Sequence, residues 1–415
     1  MDLGAAGERR AVTDVDGGAQ AERSATLARL CIVSHVVHYE HEGRLWAYAP
    51  YAREIDIWAD LFPEVLIAAP SRRQEPPPDC QAFCRPNIIV IPQGEWGGIS
   101  IAAKLWAVAR LPVTTLALWK TLRRADAIHV RCPGNLGLVG VLLAPIASNY
   151  LVAKYAGQWS DYPKEPFSFR LQKRILRSGW WKGPVTVYGP TGEAGKNLVS
   201  FFTSVMNSSH VDRACRSSEM RSIKGPIHVV FVGRLSVAKN VDVLLEAVAS
   251  VRAKGMKVKC TLVGDGPQRD SLVGQAMKLG ISDVTFFRGA LPFDQVLAVY
   301  EEAHVAVLAS QTEGWPKAIA EAMAFGLVCI GSNRGLVPWM LGEGRGLVVP
   351  PRDVEALATA LAGVVGTPAQ HLEMGRRASL WARRYSIEGL QSALAELLAE
   401  HWGVTLSVPG DASKP

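Results

Sequence analysis

Short apolar runs rich in β-branched residues alternate with amphipathic segments along the second half of the chain. Runs with the length and composition of buried parallel strands lie at 227–232, 258–263, 284–287, 305–308, 327–330 and 347–349. An amphipathic helix is predicted after the first run, because apolar residues recur there at helical spacing: Val241, Leu244, Leu245, Val248 and Val251. Strands and helices that alternate in this way build a doubly wound parallel sheet.

The first half of the chain shows the same alternation less regularly. Its predicted strands lie at 30–33, 65–68, 88–91, 127–130, 151–154 and 185–188. The apolar stretch 134–153 contains Pro145, Ser148 and Asn149, which predicts a buried helix followed by a buried strand rather than a membrane span. The chain is therefore predicted to have an α/β fold of two facing Rossmann-like, doubly wound domains with a cleft between them.

Composition suggests where these two domains begin and end within the 415 residues. We predict a flexible tail over 1–25, a first domain over 26–206, a linker over 207–225, a second domain over 226–385, a final helix over 386–403 and a tail over 404–415. The linker is predicted from its polar, serine-rich composition. The final helix carries an apolar face, so we expect it to dock back near the first domain.

The net charge limits the classes of partner to be considered, and the cysteine content indicates the cellular compartment. A formal net charge of +7 favours an anionic partner, such as a phosphorylated small molecule, a nucleic acid or an anionic membrane. No motif in the sequence supports binding to nucleic acid. Seven scattered cysteines favour a reducing compartment such as the cytoplasm. The first 25 residues lack the apolar run of a signal peptide, so export is not expected.

Basic residues follow the first strand of the second domain. Arg234 and Lys239 lie between that strand and the next helix, at the sheet edge where doubly wound folds bind their ligands. Two fixed cations there can neutralise a departing diphosphate. A solvated basic loop is the alternative interpretation.

The segment 311–326 combines a glycine, a proline, a lysine and two glutamates around a predicted helix start. Gly314 permits close backbone approach, and Pro316 suits the first turn of a helix whose free amides can bind a phosphate beside Lys317. Glu313 lies in the loop and Glu321 about one and a half turns into the helix, so they can bind different hydroxyl-bearing parts of one ligand. The small and apolar neighbours of Glu321 predict that it is buried with a partner. An acid/base pair of a hydrolase is the alternative, but it leaves the basic residues unexplained.

Together these segments resemble the nucleotide-sugar glycosyltransferases of family 4, also called glycosyl transferases group 1. The E-x7-E pattern of that family is met by Glu313 and Glu321, and its G-R-L segment with a following lysine is met by 233–235 and Lys239. The turn at 263–267 and the strand end at 287–289 also match. The resemblance implies the GT-B fold and retention of configuration at the transferred sugar.

The resemblance also implies a role for each donor-side residue. Arg234 and Lys239 would bind the diphosphate, and with Glu313 they would form the catalytic set. Glu313 would bind the transferred sugar, and Glu321 the ribose hydroxyls. The other predicted donor-binding residues lie in the same loops: Gly233, Gly264, Gly289, Ala290, Leu291, Gly314, Trp315, Pro316 and Lys317. No metal and no other cofactor is implied, because the two cations neutralise the leaving group.

The acceptor-side candidates lie in the first domain and are His35, His38, Gly43 and Arg131. The two histidines, with His41, follow the opening strand at intervals of three residues. They could contact the acceptor or a phosphate, ligate a metal, or be ordinary loop residues. Arg131 stands where many relatives have a cleft histidine, so an arginine is expected to face the reacting sugar.

The stretch 154–182 contains seven lysines and arginines against two acidic residues, with aromatic residues among them. Such a stretch can bind anionic lipid headgroups and hold the cleft near a lipid-linked acceptor. A solvated helix face with core aromatics is the alternative.

The combined prediction is a retaining, metal-independent glycosyltransferase of the hexosyltransferase type. It would move a sugar from a nucleotide-sugar donor to a hydroxyl of a glycan or a lipid-linked acceptor. Polysaccharide or glycolipid biosynthesis fits this reaction, either in the cytoplasm or peripherally on the inner face of the membrane. A nucleotide-sugar epimerase of the same fold and a non-catalytic transferase-like scaffold are the alternatives.

Overall fold

The computed structural model describes residues 27–95, 101–162, 165–190, 197–311 and 313–404. Within those ranges the chain forms two α/β domains, each built on a parallel sheet, and this confirms the predicted fold class. The predicted tail 1–25 and nearly all of the tail 404–415 lie outside the described residues, as do Lys164 and Thr312.

The first domain contains short strands and four helices within its described ranges. Its strands are β1 (Arg29–Val33), β2 (His38–His41), β3 (Arg44–Tyr48), β4 (Glu64–Ala69), β5 (Ser71–Arg72), β6 (Cys80–Ala82), β7 (Ile88–Pro92), β8 (Ala127–Cys132), β9 (Tyr150–Tyr155), β10 (Val185–Tyr188) and β11 (Leu198–Phe201). Its helices are α1 (Ala49–Leu61), α2 (Ile101–Leu122), α3 (Asn135–Ala147) and α4 (Phe167–Arg177). Seven strands form a parallel sheet in the order β11-β10-β9-β8-β1-β4-β7, and β5-β2-β3-β6 form a small second sheet.

The six strands predicted for this domain are confirmed, each within two residues at either end. The apolar stretch 134–153 forms α3 and the start of β9, as predicted. No helix in the described ranges is long and apolar enough to cross a membrane. The hairpin of β2 and β3 was not predicted, because its strands have only four and five residues and show no regular alternation of apolar and polar positions.

The second domain follows a helix that connects it to the first. That helix is α5 (Ser208–Met220), and the strands after it are β12 (Ile227–Val232), β13 (Val258–Val263), β14 (Thr285–Gly289), β15 (Val305–Leu308), β16 (Val328–Ser332) and β17 (Leu347–Val349). The helices are α6 (Val241–Ala253), α7 (Arg269–Lys278), α8 (Phe293–Glu302), α9 (Lys317–Ala324), α10 (Val337–Leu341), α11 (Val354–Gly366) and α12 (Pro368–Ala382), and α13 (Ile387–Trp402) ends the described chain. The six strands form a parallel sheet in the order β14-β13-β12-β15-β16-β17, and all six were predicted.

The segment 207–225, predicted as a linker, is mostly helix in the structure. The Asn207 side chain accepts a hydrogen bond from the His210 backbone amide (2.9 Å), and Nδ1 of His210 accepts one from the Asn207 amide (3.3 Å). These two bonds cap the first turn of α5. Serine-rich composition therefore concealed a helix whose start is fixed by side-chain capping.

The chain passes between the two domains twice, along adjacent paths. The Ile387 amide donates to the Met206 carbonyl (2.8 Å), and the Ser208 amide donates to a Glu388 carboxylate (3.0 Å). After the second passage α13 packs on the first domain, where Leu394 and Leu398 join the core formed with α1. The last helix thus completes the core of the domain in which the chain began.

Candidate active site

Three predicted glycines lie side by side at the carboxyl ends of β12, β13 and β14. The Gly233 amide donates to the Val263 carbonyl (2.9 Å), and the Gly264 amide donates to the Gly289 carbonyl (2.7 Å). Gly264 has φ +127°, and a Cβ there would lie 1.9 Å from the Gly233 carbonyl oxygen. Only glycine at position 264 permits these loops to pack so closely, which forms the floor of a binding site.

A cavity of about 570 Å³ lies between the domains at this edge of the sheet. Its lining includes most of the predicted donor-binding residues: Gly233, Arg234, Lys239, Gly264, Ala290, Leu291, Glu313, Trp315, Pro316, Lys317 and Glu321. Gly289 is the last residue of β14 and is not in this lining, and Gly314 lines a neighbouring cavity. The fold therefore brings together side chains from three separate stretches of the sequence.

The two predicted phosphate-binding cations have different surroundings. Arg234 is exposed and forms no ion pair with any residue that the structure describes. Lys239 lies in a short 3-10 turn (Val237–Lys239), and its Nζ is 2.5 Å from Oε1 of Glu313. Glu313 is thereby fixed by a cation of the same site, whereas the charge of Arg234 is available to an anionic ligand.

The start of α9 adds a third positive charge to the cavity. Pro316 precedes the helix, and Lys317 is its first residue. Burial lowers the pKa of Lys317 to about 8; Glu54 opposes this shift and Lys154 reinforces it. The pKa of the Lys317 ammonium group is therefore about 8, and charged residues of both domains influence it.

Glu321 is buried in the wall of the same cavity and has the partner that its apolar neighbours predicted. The Tyr300 hydroxyl donates to Oε2 of Glu321 (3.1 Å). Burial raises the pKa of Glu321, and the Tyr300 hydrogen bond and the charge of Lys317 oppose that rise. One carboxylate oxygen is thus held by tyrosine, and the residue can accept ligand hydroxyls with the other.

Trp315 packs against aromatic residues next to the cavity. It is 7% exposed, and its ring packs against Tyr385 (centroids 5.0 Å apart), Phe202 (6.2 Å) and Tyr188 (6.2 Å). These residues come from both domains and from the segments that pass between them. The geometry indicates that Trp315 anchors the 313–317 loop where the domains meet.

Arg131 does not face the cavity as the sequence suggested. Its guanidinium is 2.5 Å from Glu54, whose other oxygen is 2.8 Å from Nζ of Lys154. All three side chains are buried. Burial opposes ionisation of Glu54, but the charges of Arg131 and Lys154 hold the pKa of its carboxyl well below the usual range. The expected reacting-sugar contact is replaced by a buried ion triad formed by these three residues.

The other acceptor-side candidates lie apart from one another. His35 is exposed beside Gly134, and desolvation together with Arg131 lowers its pKa. His38 is buried against Phe83, and burial lowers its pKa to about 4, so it is a core residue. Gly43 has φ +72° in the turn of the β2–β3 hairpin. In the described ranges no three His, Cys, Asp or Glu side chains are grouped as metal ligands.

Sequence reasoning missed the first-domain wall of the cavity. Tyr48, Arg53 and Asp79 line it opposite the glycine loops. The Arg53 guanidinium lies 5.2 Å from the centroid of the Phe293 ring in the second domain. Pro50 at the start of α1 marks the helix that carries Arg53, but the cleft-side position of that helix follows only from the hairpin before it.

A second cavity of about 350 Å³ lies on the other side of Glu313. Gln158 and Tyr188 line it from the first domain, and Gly314 and Leu336 line it from the second. These first-domain residues were also missed, although both lie at or after the carboxyl ends of β9 and β10. Glu313 therefore stands between two cavities, one of which holds the predicted donor residues.

The basic stretch 154–182 divides into buried and exposed parts. Lys154 belongs to the ion triad, and Lys173 is buried with its Nζ 2.6 Å from Glu165. Trp159 and Trp181 are also buried. This stretch is therefore not one continuous lipid-facing surface, and its exposed cations are concentrated on α4.

Comparison with known proteins agrees with this geometry. A profile of the family described as Glycosyl transferases group 1 matches residues 217–381, which include every predicted donor-side residue. The match covers the second domain and is what this part of the chain is similar to. Glycogen synthase of Mycobacterium tuberculosis (strain CDC 1551 / Oshkosh) is 34% identical to this chain over 155 residues, which are 37% of each chain. The chain spans less than half of the length of the curated relatives it matches.

Solved structures match the whole two-domain arrangement of this chain. Sucrose-phosphate synthase from Thermosynechococcus elongatus superposes with a TM-score of 0.66, covering 91% of this chain and 99% of that chain at 19% identity. Anabaena Alr3699/HepE, solved in complex with UDP, gives a TM-score of 0.65, covering 90% and 100% at 16% identity. The fold is GT-B.

Proposed function

We propose that this protein is a retaining glycosyltransferase that moves a sugar from a nucleotide-sugar donor to a hydroxyl acceptor. The proposal is carried by one observation, the convergence of Arg234 and Lys239 with two glutamates on a single cavity at the carboxyl ends of the strands. Cations suit the diphosphate, and carboxylates suit the hydroxyls of ribose and sugar. The UDP bound in the Anabaena relative supports a nucleotide-containing donor.

In the proposed reaction the bond between the sugar anomeric carbon and the diphosphate oxygen breaks, and a bond from that carbon to the acceptor oxygen forms on the same face. The acceptor proton passes to the departing diphosphate oxygen. Arg234 and Lys239 stabilise the charge that develops on that oxygen, and Lys317 adds to them below about pH 8. This role of the cations requires no metal and no further cofactor.

The acceptor is assigned to the second cavity, because it adjoins Glu313 opposite the donor residues. Tyr188 offers a ring face and Gln158 an amide, which are groups that bind sugar rings and hydroxyls. We propose a glycan or lipid-linked acceptor in polysaccharide or glycolipid biosynthesis. The proposed location is the cytoplasm, with peripheral attachment to the inner face of an anionic membrane, and no nucleic-acid partner.

A thermal-shift titration with UDP-glucose, GDP-mannose and ADP-glucose, each with and without EDTA, tests donor binding. We expect one donor to stabilise the protein equally in both conditions. Stabilisation that needs a divalent ion would contradict the metal-independent site. Conversion of the donor with no acceptor present would instead indicate an epimerase.

A scaffold without turnover is tested by Glu313→Gln and Arg234→Ala. Both variants should lose transfer of sugar to an added glycan acceptor, with NMR of the wild-type product showing the anomeric configuration of the donor. If transfer by both variants equals that of the wild type, the assigned site is wrong.

A further inference from the structure

Three helices cover one side of the first-domain sheet. Helices α2, α3 and α4 are neighbours in that order, and their inner residues share one core that includes Leu118, Val139 and Leu176. Helices α1 and α13 cover the opposite side with a separate core. The outward sides of α2, α3 and α4, with the turn to Trp180, therefore form one continuous surface, the α2–α4 face.

Large apolar side chains are exposed across this face. On α2, Val113 is 71% exposed and Leu116 54% exposed. On α3, Leu142 and Ile146 are exposed one helical turn apart. Trp180 is 45% exposed, and its Nε1 donates to the Val141 carbonyl (3.1 Å), which places its ring beside the α3 pair. Apolar residues grouped in this way on neighbouring elements mark an interaction surface.

The charged residues within these helices are all basic, and the exposed Asp161 in the loop before α4 is an acidic residue that lies beside the α4 arginines. The sequences of α2 and α4 contain three and four lysines or arginines, that of α3 contains none, and no aspartate or glutamate occurs in any of them. Arg170, Arg174 and Arg177 are exposed along α4 at spacings of four and three residues, in line with the 71% exposed Phe167. By contrast, α1 on the opposite side carries Glu54 and two aspartates.

We propose that the α2–α4 face docks on an anionic lipid surface, with the apolar residues of α2 and α3 entering the headgroup boundary and the α4 arginines on lipid phosphates. A layer of helices offers a broad surface rather than a groove, which suits a membrane better than a single peptide. Apolar burial and the attraction of basic residues to anionic lipid act together there. The inference deepens the proposed function, on which it rests, by specifying how a lipid-linked acceptor is approached.

The face is also connected to the candidate acceptor cavity. The Arg177 guanidinium lies 4.7 Å from the centroid of the Trp159 ring, and Trp159 lines the cavity beside Glu313. Lys173 of the same helix donates to the Ser160 carbonyl, and Ser160 lines that cavity as well. Docking through α4 would therefore place the mouth of the acceptor cavity next to the lipid headgroups.

The test is co-sedimentation of the full chain with vesicles of phosphatidylcholine alone or mixed with phosphatidylglycerol. Wild type should bind the anionic vesicles. Arg170→Glu/Arg174→Glu should weaken that binding by about tenfold or more. Leu142→Ser/Ile146→Ser should weaken it by about tenfold as well. The matched controls are exposed residues of the second domain, Lys278→Glu/Arg376→Glu and Met277→Ser/Leu380→Ser, and both should bind as wild type does.

The proposal is overturned if wild type ignores anionic vesicles, if the control pairs weaken binding as much as the face variants, or if the face binds an acidic protein but no lipid. Circular dichroism of each variant checks that it is folded. The thermal shift produced by a nucleotide sugar should be the same in all of them. If the protein binds vesicles but no nucleotide sugar shifts its melting temperature, the proposed transferase function is refuted and the docking face is retained. If a nucleotide sugar shifts the melting temperature but the protein does not bind vesicles, the docking face is refuted and the transferase function is retained.

Discussion

The two domains present charged residues to the cleft in opposite ways. In the first domain, Glu54 satisfies Arg131 and Lys154 within a buried triad. In the second domain, Arg234 is exposed and has no ion-pair partner among the described residues. Lys239 forms an ion pair with Glu313 at the cavity wall. Removing one member of a buried charge cluster destabilises the domain because the others are left unpaired, whereas charges left at a cavity are available to bind ligands. The comparison predicts that mutations of the triad affect stability and that mutations of the second-domain wall affect the reaction.

The largest effect is expected from Glu54→Gln, which leaves two buried cations without their anion. The free energy of unfolding, measured by urea titration, should fall by about 3 to 5 kcal/mol. Glu40→Gln breaks an exposed pair with Arg73 and should cost no more than about 1 kcal/mol. Equal losses in the two variants would remove the distinction between the domains.

Arg234→Ala should lower kcat/KM by about 100- to 1000-fold, because it removes a fixed cation from the leaving diphosphate. The urea midpoint should be unchanged, since Arg234 is exposed. Arg269→Ala removes a partly exposed arginine outside the cavity lining and serves as the control. If Arg234→Ala destabilised the protein but left turnover intact, the assigned role would be wrong.

Gly264→Ala should weaken donor binding and reduce stability by about 1 to 3 kcal/mol, because the new Cβ would collide with the Gly233 carbonyl at a positive φ. Gly274→Ala in α7 has open space around the new Cβ and should be neutral or stabilising. Isothermal titration with the nucleoside diphosphate measures the first effect. Unchanged affinity in Gly264→Ala would show that the glycine floor does not shape the site.

Lys317 should make donor affinity depend on pH. Its charge is present below about pH 8 and lost above it, so affinity for the diphosphate should fall as pH rises through that value. We expect a loss of about three- to tenfold between pH 7 and 9. Lys317→Arg keeps its charge and should flatten the profile. A profile that is the same in both proteins would exclude Lys317 as the titrating group.

The smallest expected effect is that of Tyr300→Phe, which removes the hydrogen bond to Glu321. Donor binding should weaken by about 1 kcal/mol. Because the tyrosine opposes the rise in the pKa of Glu321, its loss should also move the acid limb of the binding profile to higher pH. A shift to lower pH would contradict this arrangement.

Much of the second domain could be predicted because each of its strands is visible as a continuous apolar run in the sequence. Continuous apolar runs identified β12 to β17, and the rule that parallel strands end at one edge brought the loops of Arg234 and Glu313 together. Their chemical roles stay predictions. The partners of the charges could not be foreseen, since the contact of Lys239 with Glu313 joins loops far apart in the sequence.

The first domain was harder to predict because its charged contacts also join segments that are far apart in the sequence. Glu54, Arg131 and Lys154 come from α1, β8 and β9, so no spacing in the sequence reveals that they meet. The pattern HYEH gives no sign of the hairpin strand to which His38 belongs, so the sequence left its role open. Its burial depends on Phe83, which follows a strand of only three residues.

The return of α13 to the first domain has a consequence for biosynthesis. Leu390, Leu394 and Leu398 fill a core otherwise made mainly by residues of the first domain. The ribosome therefore releases the part that seals the first domain only after the whole second domain has been made. The surface of the first domain that α13 covers is therefore open to chaperones until α13 has been synthesised.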